Sequence, residues 1–500
     1  MVKFGNMKGD LEDMGMLKSI GLENYKCFEK MVVDGKEGLE IVPLTILCGV
    51  NSSGKSSILK SLLVLKQSFE ENTVSNSLLL NGKYIDNGTF SEILFNESTE
   101  KTFTISNEFQ INNKGKFSKD KTSYRDLCRL YYNTNLNNFL INYSVKITNG
   151  GDSLYSNRIQ EINIKIITSY SSQKIISNIN FTRINKNVYK ILGRNIPDVS
   201  GQLDDFNIKR AICYFNGIVL NSVYEEGMSS HTKLFIPAII SIFSIIKLQY
   251  SQLQYIAPLR ETPRRRYIAD KEVNNVGVSG ENTPLLLKRI AKNKCYGIFA
   301  PLSDDEFNLS DNDIIKNDEY SAFINSWMNY INLGKISLDN RQKDLIKVKI
   351  GQQNIADVGF GVSQVLPILT EGLYLSPNQT LLLEQPEIHL HPKMQMRIAD
   401  FLLSLCIQNK SIIVETHSDH FINRIVRRYM EDEKIRSKIK IYFIDKNSNG
   451  ISNIESVNID EVEGAVCSNE NFFYQFANET AKIVDIGYKN LQRRNGEIVD

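Results

Sequence analysis

The sequence predicts an α/β protein with a β-rich first lobe, a helical insert and a mostly parallel sheet in a second lobe. Three observations carry that prediction. After residue 345, the apolar runs TLLLE, SIIVET and KIYFID are separated by the helical segments KMQMRIADFLLSLC and DHFINRIVRRYM. Strands without polar alternation, separated by helices, are the signature of a parallel sheet covered on both faces. Near the N-terminus the apolar run PLTILCG leads through a glycine-rich turn into a strongly helical segment from Ser56 to about Phe69. Between about 70 and 230, stretches such as INYSVKIT and EINIKIIT alternate apolar and polar residues, as antiparallel strands with one buried face do.

The elements follow in chain order. Residues 17–47 read as short strands joined by turns. The helix after the glycine-rich turn places Ile58, Leu62 and Leu65 on one stripe with Leu59 and Leu63 beside it, so it is expected to pack on a sheet. LFIPAIISIFSII, residues 234–246, is interrupted by Pro237 and is shorter than the roughly 20 residues that span a bilayer, so we read it as a buried helix. NTPLLLKRIAK and YSAFINSWMNYI extend the helical character toward residue 340. The expected organisation is a first lobe over 1–230, a helical insert over 231–344, a second lobe over 345–445 and a small C-terminal domain over 446–500. No internal repeat, heptad seam or coiled-coil arm stands out.

Composition bounds the function. A chain of 500 residues fits two or three domains. With 42% hydrophobic and 23% charged residues it has the make-up of an ordinary globular protein. The 59 Lys and Arg nearly cancel the 57 Asp and Glu, so any nucleic-acid surface must be local. Seven scattered cysteines without a CxxC pair argue against a zinc ribbon or a secreted disulfide framework. No signal peptide is evident, and a cytoplasmic protein without a membrane span is expected.

The chemistry concentrates in three places. GVNSSGKS, residues 49–56, matches GxxxxGK[ST] between an apolar strand and a helix, the context that the phosphate-binding loop requires. Gly49 and Gly54 allow the loop through Asn51, Ser52 and Ser53 to turn its N–H groups, with the helix start at Ser56 and Ser57, toward phosphates. Lys55 is expected on the β- and γ-phosphates of ATP and Ser56 on Mg2+. In LLLEQPE, Glu384 ends a strand where it can orient Mg2+ or its water, and Gln385 occupies the next position, where hydrolases usually carry a carboxylate that polarises water. An amide cannot act as a base, and Glu387 is the nearest carboxylate that could. His417 follows the next strand, in IIVETHSDH, and is expected on the same sheet edge, within reach of a γ-phosphate.

GVNSSGKS, DVGFGVSQVLPIL at 357–369, LLLEQPEIHLHP and ETHSDH resemble, in order and spacing, the ABC-type ATPase heads of RecF, the structural-maintenance-of-chromosomes proteins and the OLD nucleases. Bacterial and prophage AAA-type ATPases with a small C-terminal domain of unknown function are similar also in YIAPLRETPRRRY at 255–267 and NFFYQ at 471–475. The resemblance implies Lys55 and Ser56 as the Walker A pair, Glu384 as the Walker B acid and His417 as the switch histidine. It implies that Gly361, Ser363 and Gln364, within a signature spanning Gly359 to Gln364, contact the nucleotide of a second protomer. The sequence departs from LSGGQ there, with Gly361 at the serine position and Ser363 at a glycine position. Gln67 and the GTFSE turn at 88–92 compete as the Q-loop.

The resemblance further implies a homodimer or higher oligomer around ATP, gating a DNA-related or antiphage-defence activity. About 55 residues follow KIYFID, too few for a nuclease domain of the OLD kind, so a nuclease encoded nearby is the expected partner. Arg264, Arg265 and Arg266, and Arg424, Arg427 and Arg428 on the helix after His417, are candidate DNA contacts or else solvated, salt-bridged faces. On that helix Phe421, Ile422, Ile425, Val426 and Tyr429 are expected to face the core and the arginines to face outward. A non-hydrolysing ATP-dependent scaffold is the alternative, followed by a transporter ATPase subunit. DKNSNG at 445–450 is expected to be a turn between strands in preference to a calcium loop. A dinuclear metal site from His389, His391, His417 and His420 would leave the phosphate loop unexplained.

Overall fold

A strand that is apolar at every position has to be covered on both faces, and a loop that binds at its end must emerge at a sheet edge. In the computed structural model, which describes residues 15–467 apart from 72–75, 98–100, 113–137, 152–155, 171–172, 198–202, 226–228, 234, 306, 308–312, 340–343 and 463, together with 469, 482, 484 and 486, both requirements are met. NFFYQ at 471–475 lies outside the described residues.

The nucleotide-loop strand is β1 (Leu44–Gly49), followed by helix α1 (Lys55–Glu70). Far along the chain come β2 (Leu253–Ile256), α2 (Phe360–Tyr374), β3 (Thr380–Glu384), α3 (Pro392–Ile407), β4 (Ser411–Glu415), α4 (Asp419–Glu431), β5 (Ile439–Lys446) and β6 (Ser452–Asp460). They form one sheet in the order β2, β3, β4, β1, β5, β6. Neighbours are parallel up to β5, and β6 is antiparallel to it. Strand β1, more than three hundred residues before β3, is thus the fourth strand of the sheet, and the carboxyl ends of β1, β3 and β4 meet at one edge. DKNSNG is the turn from β5 into β6, as expected.

The alternating stretches form a second, antiparallel sheet. Seven strands from Thr102–Asn112 to Val219–Tyr224 pair in sequence order, and Met16–Tyr25 joins beside the first. One face of each strand is buried: Phe139, Ile141, Tyr143, Val145 and Ile147 on Asn138–Asn149, and Ile159, Ile162, Ile164 and Ile166 on the next. The predicted buried helix is present as Ile236–Ser251. It packs Phe243 on Phe181 of this sheet and stacks Tyr250 on Phe69 of α1 at 4.8 Å between ring centres. Helix α1 buries Ile58, Leu59, Leu62, Leu63 and Leu65, the stripe read from sequence, so one core joins the antiparallel sheet to the nucleotide-loop helix. Among the described residues no helix is long and apolar enough to cross a membrane.

One expectation about α4 is corrected. Phe421, Ile422, Ile425 and Val426 face the core, but Arg424 and Arg428 do not point outward: they are 5% and 1% exposed. Arg424 Nε donates to Asp400 Oδ2 at 2.9 Å and Arg428 Nε to Asp400 Oδ1 at 2.8 Å. Asp400, on α3, is 0% exposed and also accepts from the Tyr330 hydroxyl at 2.7 Å. The reason is that α4 packs along α3, so arginines flanking its apolar stripe are covered, and Asp400 on the neighbouring helix, with Asp304 beside Arg424 and Glu431 beside Arg428, neutralises them. Arg427 stays partly exposed and pairs with Asp305 and Glu431.

Candidate nucleotide site

Geometry at the end of β1 explains the glycines. Gly49 has φ 132°, and a Cβ there would lie 2.0 Å from the Ile444 carbonyl oxygen of β5. Gly54 has φ 107° immediately before α1. A side chain at Gly49 would displace the neighbouring strand and one at Gly54 would meet the Cys27 sulfur at 2.4 Å, and the chain between them passes Asn51, Ser52 and Ser53 around a cavity of about 850 Å³. Ser57 and Lys55 continue its wall, and the volume is in the range of small-molecule sites. Lys55 Nζ donates to the Gly49 carbonyl at 3.2 Å and to the Val50 carbonyl. Burial lowers its pKa, and the charge of Glu415 opposes that shift.

Two strand ends bring carboxylates to the same edge. Glu384 on β3 and Glu415 on β4 are register partners. Glu384 Oε1 accepts from the Tyr255 hydroxyl of β2 at 2.8 Å, and burial raises its pKa against that bond. The buried Arg260 donates to the carbonyls of Glu384 and Gln385 at 2.8 and 2.9 Å. It clamps the turn in which Gln385 adopts φ 45°, while Gln385 N donates to the Glu415 carbonyl at 2.7 Å. Gln385 lines the cavity. Glu387 does not; its Oε1 accepts from His417 N at 2.7 Å, and burial raises its pKa. His417 lines the cavity beside the loop; burial first, then the Lys55 charge, lowers its pKa, so the neutral imidazole is favoured.

Sequence reasoning missed Glu415. It lines the cavity, and its Oε1 accepts from the Ser56 hydroxyl at 2.8 Å. Burial, with the nearby charge of Glu384, pushes its carboxyl up to about 7. A signal existed: LLLE and IIVE are both wholly apolar strands ending in glutamate. Tyr255 and Arg260 lie within YIAPLRETPRRRY, where no local pattern points to a role at the site. For the Q-loop, Gln67 is buried and donates to the Leu79 carbonyl at 2.6 Å, away from the cavity, whereas Ser91 and Glu92 of the GTFSE turn line it.

The donor set is all oxygen: the Ser56 hydroxyl and the carboxylates of Glu384 and Glu415. Hard oxygen ligands suit Mg2+, and the Glu415 Oε2 atom is buried with no hydrogen-bond partner. Among the described residues no group of three or more His, Cys, Asp or Glu is placed to hold a metal, so the histidines form no dinuclear site.

Gly361, Ser363 and Gln364 do not line this cavity. Ser363 Oγ donates back to the Phe360 carbonyl at 2.7 Å, and Gln364 is buried. Gly359 and Phe360, at the start of α2, are the exposed part of the segment, Phe360 at 60%. Of the other basic cluster, Arg264 pairs with Glu261 and Arg265 with Asp357, and Arg266 is exposed.

A glycine-bound loop at the end of a parallel strand, leading into a helix and facing carboxylates on two neighbouring strands, defines a P-loop nucleotide-binding protein. The chain belongs to the AAA ATPase domain family, whose model matches residues 16–422. No curated protein matches it in sequence. Among solved structures it is similar to the SmcHead bound to the C-winged helix domain of ScpA, at 12% identity and a TM-score of 0.40, covering 89% of this chain and 98% of that one. It is also similar to the SMC head domain from Thermotoga maritima (10%, TM-score 0.32, 89% and 100% covered). A third is the Smc head domain with an extended coiled coil bound to the C-terminal domain of ScpA derived from Pyrococcus furiosus (12%, 0.38, 89% and 97%).

Proposed function

We propose that the chain is a slow, magnesium-dependent ATPase head that works as a nucleotide-gated clamp. The observation that carries the reading is the cavity shared by Lys55, Ser56, Gln385, Glu415 and His417. Lys55 and the loop N–H groups hold the phosphates, Ser56 and Glu384 stand on the metal side, and His417 contacts the γ-phosphate. Bound Mg2+ would neutralise phosphate charge and orient the terminal phosphate for attack. The neutral Gln385 can hold a water by hydrogen bonds but cannot take its proton, so binding outlasts hydrolysis.

We extend the proposal to a dimer in which the exposed Gly359–Phe360 end of α2 meets the nucleotide of a second copy, because this segment lies outside its own chain's cavity. The gated output, a DNA-related or antiphage response executed with a separate nuclease, rests on the sequence resemblance. The buried Arg424 and Arg428 take no part in it.

The test is ATP binding and phosphate release. Lys55→Ala is expected to weaken ATP binding by about tenfold or more. Gln385→Glu is expected to raise phosphate release by about 10–100-fold, since it restores a carboxylate at the water position. Unchanged binding in the first variant would overturn the nucleotide reading. Unchanged turnover in the second would shift the assignment to an ATP-dependent scaffold.

A further inference from the structure

We propose that Glu415 is a second metal-side carboxylate, completing with Glu384 and the Ser56 hydroxyl the protein's share of the magnesium site for bound nucleotide. The inference rests on the nucleotide reading above and goes beyond it, because the motifs supply one acid and the fold supplies two.

Three independent observations support it. The first is topology: β4 lies between β3 and β1, so Glu415 stands one strand closer to the phosphate loop than its register partner Glu384. Glu415 lines the cavity, whereas Glu384 does not and spends Oε1 on Tyr255. The second is the hydroxyl. Ser56, the loop side chain suited to ligate magnesium, is oriented by Glu415 Oε1 at 2.8 Å. The third is the other oxygen. Glu415 is 3% exposed, yet Oε2 has no hydrogen-bond partner, a costly arrangement for a buried carboxylate unless a cation or its water is the partner. Magnesium takes one or two carboxylates together with phosphate oxygens and water, so two protein acids and a hydroxyl fit its preference.

The competing role is purely structural, with Glu415 only orienting Ser56. Glu415→Gln separates the two, because its amide oxygen can still accept from Ser56 while the charge is gone. The experiment is equilibrium binding of a fluorescent ATP analogue to the full chain, with magnesium and with EDTA, together with Mn2+ binding followed by EPR. Glu415→Gln is expected to lose about tenfold in affinity with magnesium. With EDTA it should stay within about twofold of the natural protein, which also reports that the loop is folded. Glu415→Asp, which keeps the charge on a shorter arm, should fall between. An unchanged magnesium advantage in Glu415→Gln, or equal losses with and without magnesium, would overturn the inference alone. Absence of binding by the natural protein under both conditions would overturn the nucleotide reading and the inference with it.

Discussion

Two clusters of buried charge, one between α3 and α4 and one at the strand ends beside the phosphate loop, are built on opposite principles. Between α3 and α4, Asp400 accepts from two arginines and a tyrosine and is fully enclosed. Asp304 extends the network: partial burial pushes its carboxyl up, but hydrogen bonds from Arg397 and Tyr330 and the charges of Arg397 and Arg424 bring it down to about 2. Around the phosphate loop, by contrast, Glu384, Glu387 and Glu415 all have raised pKa values, and Glu387 and Glu415 each keep an oxygen without a hydrogen-bond partner. A satisfied network holds helices together; an unsatisfied one is paired by what binds. That difference separates framework from site without reference to motifs.

The contrast can be broken at several points. The largest effect is expected in the satisfied cluster: Asp400→Ala removes the fully buried carboxylate that Arg424 and Arg428 share, leaving them only the more exposed Asp304 and Glu431, and should cost about 3–5 kcal/mol of stability in denaturant unfolding. A loss under about 1 kcal/mol would mean that the arginines find water and that the network is not structural. At the site, Tyr255→Phe removes the hydroxyl held by Glu384 and should cost about 1–2 kcal/mol. It should also raise the magnesium concentration needed for half-maximal ATP-analogue binding, checked by titration. An unchanged requirement would remove Tyr255 from the site.

The smallest effect is expected at Glu371 on α2, a buried carboxyl pushed up to about 7 by burial, against a hydrogen bond from Val276 N. Its folded value lies above its unfolded value, so its contribution to stability is fully present at acid pH and is lost as pH rises through about 7. Glu371→Gln keeps the acceptor for Val276 N and removes the titration. The stability of the variant, measured from pH 5 to 8, should fall less with rising pH than that of the natural protein. Parallel curves would show that Glu371 does not titrate in that window.

Much of this was legible in the chain. The strands TLLLE and SIIVE, the loop GVNSSGKS and the buried helix Ile236–Ser251 declared themselves because local periodicity and glycine chemistry depend on neighbours in sequence. Arg424 and Arg428 were misread for the converse reason. A helical wheel shows which face is apolar, but it does not show that α3 brings Asp400 against the flank of that face. Glu415 was passed over because its neighbours in sequence are apolar and its chemistry comes from Ser56, which lies more than three hundred residues away.

The sequence by itself determined a phosphate-binding loop between strand and helix, an acid at the end of one apolar strand and a glutamine where a base is usual. These follow from backbone freedom, side-chain period and side-chain chemistry, which act over a few residues. Only the tertiary structure decided that β4 enters the sheet between β3 and β1, that Ser56 is held by Glu415, and that two arginines are framework. Those outcomes depend on which strands share hydrogen bonds and which helices share a face, and pairing between distant segments is set by burial of the whole sheet, not by any one stretch of it.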